Sequence, residues 1–264
     1  EMCIRDRSTN FTFSWNKNEI VELVHNYVHP ETGELITKER LEIKGLGKAK
    51  YILKPGGTLG DLYTNSDLVY NDDGYIEVDK NGNVAVKDDY MDDIYLGSVF
   101  PKYNLAWRND FNYKGINLGV LFTARIGGIC YSATQANMDL YGVSEASAAA
   151  RDAGGVMING RDMIDAQKWY QVIGSQSGLP QYYTYSATNV RLQELSLGYT
   201  LPSKWFRDKM RMTVSFVGRN LWMIYCKAPF DPELTASTGS YLQGIDYFMQ
   251  PSLRSLGFNV QLKF

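Results

Sequence analysis

Cysteine is nearly missing from this chain: Cys3, Cys130 and Cys226 are the only three in 264 residues. That excludes a disulfide-stapled scaffold, which at this length needs many more cross-links, and Cys130 and Cys226 are not expected to pair. Histidine is scarcer still, with only His25 and His29. Their spacing would place both on one helix face, but no third ligand sits nearby, so no metal site is expected. The chain has no Gly-x-Ser-x-Gly elbow and no nucleotide-binding glycine loop. Carboxylates are plentiful, yet none stand out as a pair at glycosidase spacing, so neither an enzyme nor a cofactor is expected. Charge of one sign is missing too: 27 Lys and Arg against 29 Asp and Glu give a net charge of -2. Nothing therefore suggests a nucleic-acid surface. There is no run of 18 apolar residues, which excludes a transmembrane helix. A mean hydropathy of -0.30 looks soluble, but a strand that turns only alternate residues to lipid also averages near neutral.

Aromatic rings are what the chain has in quantity: 19 Tyr, 11 Phe and 5 Trp. Such an excess suits the two interfacial girdles of a membrane barrel, and equally a carbohydrate-binding surface. The clearest pattern lies at the end of the chain. From Leu256 onward Leu256, Phe258, Val260, Leu262 and Phe264 alternate with Gly257, Asn259, Gln261 and Lys263, which predicts a strand with one dry and one wet face. A soluble sheet gives the same alternation, but a terminal Phe inside the last strand needs an apolar medium around its ring. Withdrawing five such side chains from water gains about 8 to 15 kcal/mol as an upper bound.

Upstream, Phe11, Phe13 and Trp15 share one side of a strand expected over residues 10–16. Ile20 to Val28 fits a helix or a hairpin arm, and the turn signal Pro30-Glu31-Thr32-Gly33 favours the hairpin. Lys50 to Lys54 forms a short apolar arm that Pro55-Gly56-Gly57 interrupts. Residues 65–95 are acidic and turn-rich. Within them Asp79, Asn81 and Asn83 stand like the start of a calcium loop, but Val84 replaces the sharp-turn glycine and Tyr90 the bidentate acid. Asn81-Gly82 flanked by Ile76, Val78, Val84 and Val86 is more simply a hairpin turn. Tyr103 to Tyr113 and Ile116 to Phe122 alternate on either side of Lys114-Gly115, predicting two strands and a tight turn, with Leu121 the one apolar exception on the polar face.

Beyond this pair lies an excursion of about 60 residues, 127–188. Asp165 can cap a helix through Trp169 and Val172, and Ser144 to Ala150 is a second helical candidate. Its rings Trp169, Tyr170, Tyr182, Tyr183 and Tyr185 either line a binding mouth or pack the loop against itself. Trp222 and Tyr241 join Trp169, Tyr170 and Tyr183 as vestibule candidates. Val190 and Leu192 lie on one parity and Leu195, Leu197, Tyr199 and Leu201 on the other, so a bulge is expected near Gln193-Glu194. The strand carrying Met210, Met212, Val214 and Phe216 is expected to end at Gly218 to Trp222, and a second long loop, 223–252, leads to the closing strand.

Three stretches together resemble SusC/RagA-type TonB-linked outer-membrane proteins. They are Val190 to Pro202, Gly218-Arg219-Asn220-Leu221 followed by Phe230-Asp231-Pro232-Glu233, and Gln250-Pro251 running into the Phe-terminated strand. Phe11 to Asn18 and Gly115 to Phe122 fit the same family upstream. The resemblance implies an all-β fold, an antiparallel transmembrane β-barrel segment with long, partly helical extracellular loops, located in the cell outer membrane. The family's barrel has about 22 strands around a plug. It imports glycans or peptides when TonB, driven by the proton-motive force, pulls on the plug, and a SusD-like surface lipoprotein closes over it. Phe258, Val260, Leu262 and Phe264 would then be the signal for the barrel-assembly machinery, and outer-membrane lipid would contact the apolar rows.

About seven strands are countable, so residues 10–264 are expected to be the C-terminal part of such a receptor, with plug and N-terminal domain missing. Glu1 to Arg7 lack a signal-peptide core and share no pattern with the strand that starts at Asn10; residues 1–9 are expected to be a foreign or disordered leader. The competing expectation is a soluble or surface glycan-binding β-sandwich with Tyr and Trp as stacking platforms.

Overall fold

The computed structural model describes residues 5–89, 92–207, 209–234 and 242–263. Six long strands form one antiparallel sheet, here the wall. They are β1 (Arg5–Trp15), β2 (Tyr103–Tyr113), β3 (Ile116–Ile126), β4 (Asn189–Thr200), β5 (Arg211–Cys226) and β6 (Ser255–Lys263), paired in that order. The expectation was about seven.

Side-chain parity carries through every pairing. Phe111 stands opposite Leu118, Leu118 opposite Leu197, Leu197 opposite Phe216, and Phe216 opposite Phe258. The next row is Tyr113, Ile116, Tyr199, Val214 and Val260. At the other end Phe11, Trp107, Phe122, Leu192 and Trp222 are aligned, and beyond them Trp15, Tyr103 and Ile126. One face is thus largely apolar, with Thr9 and Asn109 the polar members of the row of Val120, Leu195 and Leu256, and it is bare: Leu197 is 54% exposed and Phe258 82%. The 11 residues of β2 rise about 34 Å, or about 24 Å of membrane depth at a tilt near 45°. That matches the roughly 25 Å apolar band of outer-membrane barrels. Rings sit at both limits, Tyr113 and Tyr199 at one, Trp15, Tyr103, Trp222 and Tyr225 at the other, as interfacial girdles do.

Local chemistry explains the joints. Lys114 (φ 48°) and Gly115 (φ 87°) both take the left-handed backbone of a type I′ turn, whose twist suits two adjoining strands. Leu121 of β3 pairs with Glu194 of β4 and Phe122 with Leu192, leaving Gln193 of β4 without a partner on that side. The shift recurs toward β5, where Glu194 pairs with Arg219 and Leu192 with Trp222. This is the bulge expected from the parity slip, and it keeps Leu192 and Leu195 on the same apolar face.

Two boundaries differ from expectation. β5 runs on to Cys226 rather than stopping at Trp222, because Val190 and Asn189 of β4 continue the ladder to Tyr225 and Cys226. β1 begins at Arg5 rather than Asn10, so residues 5–9 are paired with β2 and not disordered. Their parity is discordant, however. Arg5 and Arg7 fall on the apolar face, stacked over the rings of Tyr113 and Phe111 at 5.5 and 5.3 Å.

The dry core lies elsewhere. It is built in an outer domain from the segments joining the wall strands, around Tyr51, Leu62, Leu68, Tyr131, Leu179 and Ile245. Among the described residues, no wall-strand side chain belongs to it. A β-sandwich needs the opposite, with one face of each sheet meeting the other in a sealed interior. The outer domain contains a sheet ordered Leu41–Lys44, Lys50–Leu53, Asp61–Thr64 and Ile94–Ser98. A smaller sheet places Ile129–Ser132 between Thr184–Ser186 and Ile245–Asp246. Three helices accompany them: α1 (Ala133–Leu140), α2 (Glu145–Asp152) and α3 (Ala166–Ile173). Asp165 caps α3 by accepting from the N–H groups of Gln167 and Lys168 at 3.0 and 3.1 Å, and Ser144 caps α2. Val24–Val28 and Leu35–Lys38 form the expected hairpin. His29 stays local there: its Nδ1 accepts from the N–H groups of Glu31 and Thr32 in the turn.

Candidate functional site

The second face of the wall is polar, and Glu194 pairs with charges on two other strands. Arg108 of β2 donates from Nε and Nη2 to the two carboxylate oxygens of Asp110 at 2.9 and 3.1 Å. Its Nη1 also reaches Glu194 of β4 at 3.4 Å, and Arg219 of β5 donates to the other oxygen of Glu194 at 3.1 Å. β3 lies between Arg108 and Glu194, and the space over Gly119 keeps the crossing open. A Cβ at Gly119 would stand 2.5 Å from Ser196 Oγ, 2.9 Å from Asp110 Oδ1 and 3.6 Å from Arg108 Nη2. These groups are solvated, so each pair contributes only about 0 to 1 kcal/mol. Their consequence is a hydrated polar surface behind an apolar one.

Where the wall meets the outer domain the electrostatics become stronger. Arg191 of β4 is almost fully buried, and its Nη2 bonds Asp231 Oδ1 at 2.8 Å, with Nη1 3.4 Å from Oδ2. Asn189 and Asn220 accept two further bonds from the guanidinium at 3.3 Å, and Glu233 lies 3.4 Å from it. Ser252 donates to Asp231, and Asn220 Nδ2 in turn donates to Ser252 Oγ at 2.8 Å. Burial raises the Asp231 carboxyl, but the bonds from Arg191 and Ser252 outweigh it and hold its pKa below the ordinary range. Both ends of the segment 227–252 are thereby fastened to the tops of β4 and β5. A cavity of about 400 Å³ opens beside this clamp, lined by Met223, Cys226, Pro229, Phe230, Pro251 and Arg254 among others.

The same segment also enters the outer domain. Ile245–Asp246 pairs in parallel with Ile129–Ser132, Ser132 Oγ donates to Asp246 at 2.6 Å, and Tyr51 donates its hydroxyl to Gln243 O at 2.6 Å. This segment thus bonds both to the wall and to the outer domain.

The residues expected at a vestibule are dispersed. Trp169 (7% exposed) packs edge-on against Tyr182 at 5.8 Å, and Tyr183 (2% exposed) belongs to the same core. Burial and then Asp139 push the Tyr183 hydroxyl far above its ordinary pKa. Both rings pack the loop against itself and present no face to a ligand. Tyr170 is half-buried against that core. Trp222 is exposed, but its register with Leu192 puts it on the apolar outer face, in the upper girdle. Tyr241 and Phe264 lie outside the described residues, while Phe258, Val260 and Leu262 occupy the exposed face of β6.

Cys130 and Cys226 are both free thiols, and burial pushes Cys130 up to about 12, so it is unreactive. The Asp79 turn is a hairpin, as expected. Val78 pairs with Val84, and Asp79 spends its carboxylate on the N–H groups of Asn81 and Asn83 and on Asn83 Nδ2, all at 2.8 Å. Tyr90 lies outside the described residues. The Arg191–Asp231 clamp escaped the sequence because its two charges are 40 positions apart.

No family model matches the chain. Among curated proteins, TonB-dependent receptor P3 of Formosa agariphila is 23% identical over 283 aligned residues, which cover 97% of this chain and 26% of that protein. Among solved structures, the RagAB peptide importer in its closed-closed state superposes with a TM-score of 0.64 at 16% identity, covering all of this chain and 28% of that one. The RagAB peptide transporter gives 0.59 with the same identity and coverage, and the open-open importer 0.55 with 27% of that chain covered. The chain therefore spans about a quarter of the length of the relatives it matches. Sequence and fold agree on a stretch of outer-membrane β-barrel like that of TonB-dependent receptors.

Proposed function

We infer that this stretch of TonB-dependent-receptor-like barrel forms part of the wall and outer mouth of a nutrient importer. In the whole protein a plug engaged by TonB would fill the lumen, and a SusD-like lipoprotein would cover the outer domain. The observation that carries this is the separation of surfaces: a largely apolar face, a hydrated polar face with cross-strand ion pairs, and a dry core confined to the outer segments. Six strands leave two open edges, and unpaired backbone groups in hydrocarbon cost several kcal/mol each, which supports a wall completed by further strands. Arg5 lies in the girdle row of Tyr113 and Arg7 in the next row, that of Phe111, where a cation on the lipid face costs about 0 to 1 kcal/mol near the interface and more only toward mid-depth.

The cargo is a glycan or a peptide. The RagAB relatives are a peptide importer, while the aromatic content suits either. Deleting the gene for the full-length protein and following uptake of fluorescent oligosaccharides and oligopeptides by intact cells tests the function. Uptake of one class should disappear on deletion and on collapse of the proton gradient. Unchanged uptake of both classes would refute import.

A further inference from the structure

Two hairpins far apart in the chain meet on the outer domain. One spans residues 69–86 and contains the Asp79 turn; the other joins Val156–Ile158 to Asp162–Ile164. Asn159 (φ 53°) fastens them together. Its Oδ1 accepts from the Ile76 N–H at 2.9 Å, while its Nδ2 donates to the Ile76 carbonyl at 2.9 Å and to Asp162 Oδ2 at 3.0 Å. The side-chain amide thus stands in for a neighbouring strand. Between the hairpins lies a cleft of about 590 Å³, within the range of small-ligand sites.

The floor of the cleft is held in place before any ligand arrives. Asn71 Oδ1 accepts from the N–H groups of Asp73 and Tyr75 at 3.1 and 2.9 Å, and Asp79 is fixed by its own turn. Over that floor project the exposed ring of Tyr75, the Arg161 guanidinium 5.0 Å from the ring centroid, and the carboxylates of Glu77 and Asp162. A ligand here meets an apolar platform flanked by both a strong donor and strong acceptors. An anionic ligand would face Glu77, Asp79 and Asp162, and a cationic one would face Arg161. Hydroxyl groups, which donate and accept at once, satisfy both kinds of partner without a charge conflict.

We propose that this cleft, outside the luminal route, binds a neutral oligosaccharide, with one sugar on the free side of Tyr75 and its hydroxyls shared between Glu77, Arg161 and Asp162. The assignment rests on the outer domain facing the cell exterior. Isothermal titration of the full-length protein in detergent with neutral hexasaccharides of β-1,3-glucan, β-1,4-xylan, α-1,4-glucan and α-1,6-mannan tests it, alongside a hexauronate and hexalysine. At least one neutral hexasaccharide should bind, and Tyr75→Ala, Glu77→Gln and Arg161→Ala should each weaken it about tenfold or more. Absence of neutral binding, affinity unchanged in the three variants, or binding confined to the hexauronate or hexalysine would overturn the proposal. Labelling of Lys80→Cys on intact cells by a membrane-impermeant maleimide separates the premise from the proposal. A labelled cleft that binds no neutral sugar refutes the site alone, and an unlabelled one refutes the outward orientation.

Discussion

Leu195→Arg and Ser196→Arg place the same charge one residue apart on opposite faces of β4 and should have opposite outcomes. Leu195 stands between Val120 and Gly218 on the apolar face; Ser196 stands between Gly119 and Val217 on the polar one. Leu195 is two rows above the lower girdle at Tyr199. That is about 14 Å along the strand, or about 10 Å of depth at the tilt of such barrels, close to the middle of the hydrocarbon. A charge there costs about 2 to 4 kcal/mol, which lowers the folding equilibrium about 30- to 900-fold. At Ser196 the guanidinium enters water beside Asp110 and Glu194, and the cost should stay within about 0.5 kcal/mol. Denaturant titration of the full-length protein in lipid vesicles, followed by heat-modifiable gel mobility, measures both. Equal stabilities for the two variants would refute the assignment of faces, whatever their absolute values.

Deleting Gln193 removes the bulge and should turn Val190 and Leu192 inward and Arg191 toward lipid; loss of the protein from the outer membrane is the expected readout. Arg191→Ala leaves Asp231 buried without its cation and should cost about 3 to 5 kcal/mol in denaturant stability. Because the Asp231 pKa is lowered in the fold, its stabilising contribution is present above the unfolded carboxylate value of about 3.9 and lost as pH falls through the lower folded value. The stability gap between wild type and Asp231→Asn should therefore be full at neutral pH and close below about pH 4, as denaturation midpoints across pH would show. Gly115→Ala forces a side chain into the left-handed region 2.9 Å from the Thr200 carbonyl, and should cost about 1 to 2 kcal/mol by the same titration.

The wall was legible because its signals are local. Alternation over Leu256 to Leu262, the Lys114-Gly115 turn and the phase slip at Gln193 each need only neighbouring residues, and each is where the structure has it. The outer domain was less so. Helices α2 and α3 announce themselves through the capping residues Ser144 and Asp165, whereas α1 begins after Ser132 within a run whose apolar positions show little helical stripe. Ile245–Asp246 is too short to have a period, and it exists as a strand only because Tyr131 and Ser132 receive it.

Exposure was the hardest property to read. Aromatic residues suit a binding mouth and a packed core equally, and long-range packing decided that Trp169 and Tyr183 lie inside while Trp222 faces outward. The clamp at Arg191 and the cleft beneath Tyr75 depend on contacts between distant segments, for which a single sequence carries no mark.

A role in the barrel wall requires that one face of this sheet meet hydrocarbon and the other meet water. A single-cysteine scan from Asn189 to Thr200 in the full-length protein, with native thiols replaced and a spin label at each position, measures contact with oxygen from the lipid phase and a water-soluble nickel chelate. Lipid contact is expected at 190, 192, 195, 197 and 199 and water contact at 194 and 196, with the lipid-facing parity changing across 193. Labels of both parities shielded from both reagents, or an alternation that runs through 193 without a break, would contradict that division of faces.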